Sequence, residues 1–228
     1  MNTSVSYNCQ VCNDTKWIIK NDVAIDRCGC LKNSIRDDML KDSLLNETLK
    51  DKSFNNYHPK TEAEEKMHDI AIEYALIFKD IRKNRNNGMA LLGTFGIGKT
   101  HLLAAVTKNL VSKGHKVLFV NTTAFMKDLR DLISQGKSFS ERLDKLKNCE
   151  VLVLDDIAKE KVTDWVREQY YYILDHRYCT GKPVLISSNL NPTTLEDTLG
   201  GATTSRLFAM CKGRMVYVKA DDYRMIEQ

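Results

Sequence analysis

A chain of 228 residues, 43% hydrophobic and 28% charged, has the composition of a soluble globular protein built as one large domain, with or without a small appendage. Its net charge of +4 permits contact with nucleic acid but does not by itself indicate it. No apolar run reaches the roughly 18 residues of a membrane span, and the N-terminus lacks the plan of a signal peptide, so we expect a cytoplasmic protein that has no membrane partner.

The N-terminal region is marked by its cysteines. Four of the seven cysteines lie in two close pairs within the first 30 residues: Cys9, Cys12, Cys28 and Cys30. A reducing compartment disfavours disulfides, and two close pairs of thiolates can complete the tetrahedral four-sulfur shell that Zn²⁺ favours in structural sites. We expect Gly29 to allow a tight turn within the second pair. Residues 1–30 are therefore predicted to form a zinc-binding module, with four unligated thiols as the alternative.

Residues 31–57 are polar and highly charged, with apolar residues scattered through them. This spacing suggests one or two short amphipathic helices, which would form a helical connector that is either a linker or a docking surface. From residue 58 the pattern changes. Thr61 and Glu64 have the spacing of a capping box, and apolar residues at helical spacing follow as far as Ile81. We therefore predict a long helix at the start of a third region, residues 58–228.

The sequence GTFGIGKT at 93–100 fits the phosphate-loop pattern G-x-x-x-x-G-K-[ST] and lies between a strand-like run and a helix-like run. Glycines in this pattern let backbone amides approach phosphate oxygens, the lysine adds a charge near the β- and γ-phosphates, and the threonine hydroxyl can bind Mg²⁺. The residues predicted to contact the nucleotide are Gly93, Thr94, Phe95, Gly96, Ile97, Gly98, Lys99, Thr100 and His101. A Gly-rich turn with an accidental Lys-Thr is the alternative.

Beyond this loop, apolar strand-like runs alternate with helix-like segments. The predicted strands lie at 116–121, 151–156, 183–189 and 214–218, and the predicted helices lie at 100–114, 123–134, 138–147, 163–179, 193–199 and 203–211. Continuous apolar strands that alternate with helices indicate a parallel sheet covered on both faces. The third region is therefore predicted to be a single α/β domain.

Polar residues follow two of these strands. Ligands of an open α/β sheet gather at the carboxyl ends of its strands, so we expect Asp155, Asp156 and Asn189 to meet the phosphate loop. Asp155 is predicted to hold Mg²⁺ together with Thr100, and Asp156 to accept a proton from, or orient, the attacking water. Asn189 is predicted to orient the same water or to sense the γ-phosphate, although Asn is also common in ordinary strand-end turns.

These residues carry a resemblance to a known family. The runs GTFGIGKT, VLVLDD and SSN and the later Ser205-Arg206-Leu207 resemble the Walker A, Walker B, sensor-1 and arginine-finger motifs of AAA+ ATPases. More closely, the order of GKTHLL, VLFVN, LVLDDI, DHRY, KPVLISSN, TSRL and DDYR resembles the bacterial replicative helicase loaders of the DnaC/DnaI type and their relative IstB, the ATPase of some transposons.

The resemblance implies a phosphate-loop core with a five-stranded parallel sheet in the order 5-1-4-3-2 and ATP-dependent self-assembly. In such an assembly Arg206 would reach the γ-phosphate held by a neighbouring subunit, and Arg224 matches the place of a second sensor arginine. The sequence differs from the usual AAA+ pattern in two ways. Asp156 stands where many AAA+ enzymes have Glu, which suggests slow hydrolysis that serves as a switch. Few residues follow the last strand, so we expect no full helical lid.

The function implied is an ATP-dependent loader that places a replicative DNA helicase on single-stranded DNA. Residues 159–172 combine basic and aromatic side chains of the kind that contact single strands, although an ordinary amphipathic helix would look the same. The cysteine module and the connector are candidates for docking the helicase. The alternatives are an IstB-like transposition regulator that binds duplex DNA and a generic phosphate-loop ATPase unconnected with DNA.

Overall fold

The computed structural model describes residues 9–15, 17–20, 23–30, 40, 45 and 47–219. The strands are β1 (Trp17–Lys20), β2 (Val23–Arg27), β3 (Met89–Gly93), β4 (Val117–Asn121), β5 (Val151–Asp155), β6 (Val184–Ser188) and β7 (Met215–Val218). The α-helices that lie wholly in the described residues are α1 (Glu62–Ile81), α2 (Lys99–Ser112), α3 (Thr122–Ser134), α4 (Ser140–Asn148), α5 (Asp164–Thr180), α6 (Pro192–Leu199) and α7 (Gly201–Met210).

The main sheet has five strands in the order β4-β5-β6-β3-β7, and all of its pairings are parallel. Counted from β3 this order is 2-3-4-1-5, which reads 5-1-4-3-2 from the opposite edge, so the predicted topology is confirmed. Every residue of β3, β5 and β6 is buried. Burial of whole strands is what a parallel sheet with helices on both faces requires, and it explains why these strands read as continuous apolar runs.

Alternate residues of the strands enter two separate apolar cores. Leu91 packs in the core that lies under α1 and α2, whereas Leu92 packs in the core that lies under α3, α4, α5, α6 and α7. Successive side chains of a strand point to opposite faces, so one strand serves both layers. The central strands of the sheet are therefore covered on both sides, whereas Met215 and Tyr217 of the edge strand β7 are exposed.

The long helix α1 begins at the predicted capping box. The Thr61 hydroxyl accepts the backbone N–H of Glu64 at 3.2 Å, and the Glu64 carboxylate accepts the backbone N–H of Thr61 at 3.2 Å. A cap of this kind stabilises a helix by about 1 kcal/mol. Met67, Tyr74 and Phe78 on this helix are buried against the sheet, as their helical spacing predicts.

The N-terminal strands β1 and β2 pair antiparallel, with Trp17 opposite Arg27, and form a hairpin between the two cysteine pairs. In residues 47–57, the longest described stretch of the predicted connector, the structure has two short 3-10 turns, Glu47–Leu49 and Phe54–Asn56. Most of the predicted connector lies outside the described residues. The helices of the described part of the chain include none with the length and apolar character of a membrane span.

Candidate nucleotide site

The loop between β3 and α2 depends on its glycines. Gly93, Gly96 and Gly98 have φ angles of 146°, 80° and 81°, a region that favours glycine. A Cβ added to Gly93 would lie 2.0 Å from the carbonyl oxygen of Val218, and one added to Gly98 would lie 2.4 Å from the ring of Tyr57. Both the backbone conformation and the close packing therefore exclude larger residues at Gly93 and Gly98.

Lys99 begins α2 and is buried at the base of the loop. Its Nζ donates to the carbonyl oxygens of Gly93 at 2.9 Å and Thr94 at 2.7 Å. These bonds hold the ammonium group at the N-terminal end of α2, where the helix dipole also favours an anion. The loop opens on a cavity of about 370 Å³, whose lining includes Phe95, Gly96, Thr100, Asp156 and Asn189.

Asp155, the last residue of β5, is linked to the loop by hydroxyl groups. Its Oδ1 accepts the Thr100 hydroxyl at 2.8 Å and the Ser187 hydroxyl at 2.6 Å. Burial raises the pKa of Asp155, while these two hydrogen bonds act in the opposite direction. A threonine hydroxyl beside a carboxylate is a set of hard oxygen ligands, so Thr100 and Asp155 fit Mg²⁺.

Asp156 has a φ of 59° and so adopts a conformation that is uncommon for a residue with a side chain. The Ser187 hydroxyl accepts its backbone N–H at 2.8 Å, and the Thr122 hydroxyl donates to its carbonyl oxygen at 2.8 Å. Its carboxylate Oδ2 accepts Lys159 Nζ at 2.7 Å. The neighbouring elements thus hold Asp156 at the rim of the cavity, where its side chain is already engaged in an ion pair.

A second cavity of about 340 Å³ lies on the other side of the loop and shares Gly96, Gly98 and His101 with the first. Tyr57 lines it and donates its hydroxyl to the carbonyl oxygen of Ile97 at 2.9 Å. His101 lies 2.8 Å from the carbonyl oxygen of Ser53, and burial lowers its pKa. The end of the predicted connector therefore forms part of this site.

Sequence reasoning missed several residues that the structure adds to this site: Lys52, Tyr57, Ser187 and the ion-pair role of Lys159. Ser187 carried a signal, because it is the first of two serines at the end of an otherwise apolar strand. No sequence signal pointed to Tyr57, because it contacts Ile97 of the loop, which lies 40 positions further along the chain.

Arg206 is not among the residues that line either cavity. It lies on α7, where its Nε is 2.5 Å from Oδ1 of Asp175 and its guanidinium lies over the ring of Tyr171. The predicted sensor residue Arg224 lies outside the described residues.

Part of the predicted single-strand segment is unsuitable for stacking on bases. Tyr170 is fully buried and donates its hydroxyl to Glu160 at 2.6 Å. Tyr171 and Tyr172 are exposed, but they contact Arg206 and Lys147 respectively. Helical spacing places Tyr170 on the core face, which agrees for this residue with the ordinary amphipathic helix given as the alternative for this segment.

The four N-terminal cysteines converge on one point. Their sulfur atoms all lie within 4.8 Å of one another, with 3.8 Å between Cys9 and Cys28 and 3.3 Å between Cys12 and Cys30. A disulfide would require about 2.05 Å. A tetrahedral zinc with bonds of about 2.3 Å requires sulfur–sulfur distances of about 3.8 Å. The cluster therefore fits a structural Zn²⁺.

The first cysteine pair is followed by a turn in which two residues have positive φ angles. Asn13 and Asp14 have φ angles of 47° and 64°, whereas Gly29 does not adopt a left-handed conformation. The Asp14 carboxylate accepts the backbone N–H of Cys9 at 2.8 Å, and backbone amides of Cys12 and Val11 lower the pKa of the Cys9 thiol to about 7. Asn and Asp tolerate this conformation better than other residues with side chains, so no glycine is needed here.

A phosphate loop after the first strand of a 5-1-4-3-2 sheet, with carboxylates after the third strand, defines an AAA+ phosphate-loop ATPase. Comparison with known sequences gives the family: the one described as IstB-like ATP binding protein matches residues 39–228. The chain belongs to this family, and its relatives and structural neighbours group it with the DnaC/DnaI type.

Two relatives and one structure illustrate the similarity. The uncharacterized protein YqaM of Bacillus subtilis (strain 168) is 31% identical over 219 residues, which are 93% of this chain and 69% of that protein. The replicative helicase loader DnaI of the same strain is 35% identical over 113 residues, which are 49% of this chain and 36% of that protein. The crystal structure of the DnaC helicase loader is 26% identical, covers 76% of this chain and 100% of that one, and superposes with a TM-score of 0.66.

Proposed function

We propose that this protein is an ATP-dependent loader that places a replicative DNA helicase on single-stranded DNA. The observation that carries the proposal is the match with the DnaC helicase loader over the whole of that chain. The chain would comprise a zinc module at 1–30, a connector at 31–57 and an ATPase domain at 58–228. The domain supplies the nucleotide site, and the N-terminal parts are our candidates for contact with the helicase.

The nucleotide would lie with its phosphates against the loop at 93–100 and Lys99. Thr100 and Asp155 would hold Mg²⁺, which would neutralise phosphate charge. Asn189 and Asp156 line the same cavity and would orient the attacking water. In this structure Oδ2 of Asp156 accepts Lys159, so this lysine competes with the attacking water for the carboxylate. Slow hydrolysis, suited to a switch, follows from that arrangement.

The position of Arg206 supports the proposal that the protein works as an assembly of several chains. It lies away from the nucleotide cavities of its own chain, and its side chain remains 30% exposed. An arginine supplied by a neighbouring subunit can stabilise the charge that develops on the γ-phosphate. We therefore expect turnover per chain to rise with protein concentration. Turnover that is high and independent of concentration would contradict self-assembly as the basis of activity.

Contact with single-stranded DNA would use basic residues after β5. Lys159 and Lys161 lie together in the chain, and the exposed Tyr172 is on the following helix. Phosphate contacts of this kind make binding depend on salt. We expect the double substitution of both lysines by Ala to weaken single-strand binding, and unchanged salt-sensitive binding would contradict this placement.

The deciding experiment recovers partners of the intact, tagged chain from its host in the presence of ATP. Recovery of a hexameric helicase with ATP, and its loss with Lys99→Ala, would support the loader. Lys127→Ala is a matched control, because this exposed lysine lies on α3, outside the phosphate loop. Helicase bound equally well by both variants would contradict ATP dependence.

A transposition regulator of the IstB kind is the second candidate, favoured by the family description over residues 39–228. Such a protein would bind duplex DNA and recruit a transposase. The same recovery experiment distinguishes the two functions, because a transposase in place of a helicase would decide against the loader. Chelation of zinc that left helicase binding intact would remove the cysteine module from the docking surface.

A further inference from the structure

We propose that Asp175 and Tyr171 position Arg206 to reach the nucleotide held by a second copy of this chain. The inference rests on the proposed function, because it takes Arg206 as a residue that acts across a subunit interface. Asp175 and Tyr171 would themselves touch no nucleotide. Their role would be to fix the direction in which the guanidinium points.

Three kinds of contact converge on the guanidinium of Arg206. Its Nε lies 2.5 Å from Oδ1 of Asp175, and its Nη1 donates to the carbonyl oxygen of Ala202 at 2.9 Å. Its central carbon lies 5.2 Å from the centre of the Tyr171 ring, and Nη2 lies 3.5 Å from the Tyr171 hydroxyl. An ordinary surface ion pair uses one contact and is worth little. A guanidinium held at its Nε, at Nη1 and over its face has a defined orientation.

The helix α5, which carries Tyr171 and Asp175, is held in place by buried contacts. Tyr171 and Asp175 are four residues apart on α5 and therefore lie on the same face of that helix. The adjoining face carries Tyr170, Leu174 and Arg177, all fully buried. The Arg177 guanidinium donates to backbone carbonyl oxygens that include those of Leu146 and Pro183, each at 2.7 Å. The helix that presents Tyr171 and Asp175 is thus anchored to the sheet from beneath.

The arrangement leaves hydrogen-bonding capacity for an anion. A guanidinium carries five N–H groups, and the contacts described for Arg206 use three of them. The side chains of Arg206 and Asp175 are 30% and 32% exposed, so the group borders solvent and a second chain can approach it. Holding a charged group in place beforehand avoids the loss of side-chain freedom when it meets the phosphate.

The test measures ATP turnover of the full chain at protein concentrations where assembly is complete. We expect Asp175→Ala and Tyr171→Ala each to lower kcat by about 10- to 100-fold, because a misplaced catalytic group loses activity on that scale. The KM for ATP and the binding of a fluorescent ATP analogue should be unchanged, since neither residue lines a nucleotide cavity. Asp175→Glu and Tyr171→Phe keep the charge and the ring and should restore most of the activity.

Glu168→Gln is the matched control, because this residue is exposed on the same helix. A merely structural role for Asp175 would lower the thermal unfolding midpoint and ATP binding along with kcat, and that outcome would overturn the inference. Unchanged kcat in Asp175→Ala would also overturn it. Full activity of Arg206→Ala would instead contradict the interface role itself. Recovery of activity on mixing Arg206→Ala chains with Lys99→Ala chains would establish that role independently.

Discussion

The nucleotide site and the cysteine cluster bring distant residues together by different means. In the nucleotide site the side chains of Thr100, Asp155 and Ser187 meet because three buried parallel strands end at the same edge. In the cysteine cluster four thiols meet beside a two-stranded hairpin. A two-stranded hairpin is at best marginally stable in water without further support. The first site is therefore shaped by the apolar core, and we expect the second to depend on a bound metal ion for its stability.

This difference means that the two regions should respond separately to perturbation. Loss of the metal should affect the cysteine module and leave the phosphate loop intact. Loss of a buried contact under the sheet should lower the stability of the ATPase domain and leave the metal bound. Coupling between the regions, if any, would then appear as a departure from these separate responses.

Removal of zinc should have the largest effect. Structural Zn²⁺ contributes about 10–16 kcal/mol of binding free energy to small cysteine modules, so a strong chelator or Cys12→Ser should unfold residues 9–30. Hydrogen exchange followed by mass spectrometry should show lost protection in that segment and unchanged protection in β3 and α2. Cys179→Ser is the control, because this exposed cysteine lies outside the cluster. A module that stays protected after complete chelation would contradict the zinc assignment.

Substitution of Arg177 tests the stability of the ATPase domain. Its guanidinium is fully buried and donates to the carbonyl oxygens of Leu146, Cys149 and Pro183, among others. Arg177→Met would leave several buried carbonyl groups without donors, which we expect to lower the free energy of unfolding by about 3 kcal/mol. Thermal unfolding monitored by circular dichroism measures this loss.

The exposed Arg142→Met should change the unfolding midpoint little, and zinc content should be the same in both variants. Loss of zinc from Arg177→Met would show that the two regions are coupled. An unfolding midpoint equal to that of the unsubstituted chain would mean that the carbonyl groups find other donors.

The sequence predicted the fold well because strands and helices follow local patterns, and it predicted that Asp155 and Asp156 lie beside the phosphate loop. Apolar runs fixed the strands, the capping box at Thr61 fixed the start of α1, and the phosphate-loop pattern located the nucleotide site. The failures involve contacts between distant residues. Tyr57 packs on Gly98, and Asp175 holds Arg206, through pairings that no spacing in the chain reports. The positive φ angles at Asn13 and Asp14, which follow the first cysteine pair, were likewise not predicted.

Replacement of Asp155 should have opposite effects on stability and on activity: the unfolding midpoint should rise and ATP hydrolysis should be lost. Burial raises the pKa of this carboxyl group, so the native chain binds its proton at pH values where the unfolded chain has lost it. The contribution of Asp155 to stability therefore falls as pH rises from the ordinary carboxyl pKa through the raised one. At neutral pH the buried charge is destabilising, and its removal should be favourable.

We expect Asp155→Asn to raise the unfolding midpoint of the nucleotide-free chain by about 2–4 °C, the response to roughly 1 kcal/mol at this chain length. The amide oxygen can still accept the Thr100 and Ser187 hydroxyls. Mg²⁺-dependent ATP hydrolysis should be lost, and the gain in midpoint should disappear below about pH 4, where the wild-type carboxyl is neutral in both states. A lower midpoint at neutral pH would mean that the charge is stabilising. Asp156→Asn should show no such gain.

The smallest effect is expected at the rim of the cavity. Lys159 Nζ lies 2.7 Å from Oδ2 of Asp156, and the lysine side chain is 48% exposed. Exposed ion pairs are worth about 0.2–1 kcal/mol, so Lys159→Met should free the carboxylate and raise basal ATP turnover by about 1.5- to 5-fold. High salt should produce a similar rise in the unsubstituted chain and no further rise in the variant. Lys161→Met, in the same exposed segment, should leave turnover unchanged. A fall in turnover for Lys159→Met would mean that this lysine contacts the phosphates, and the proposed slow hydrolysis would then need another cause.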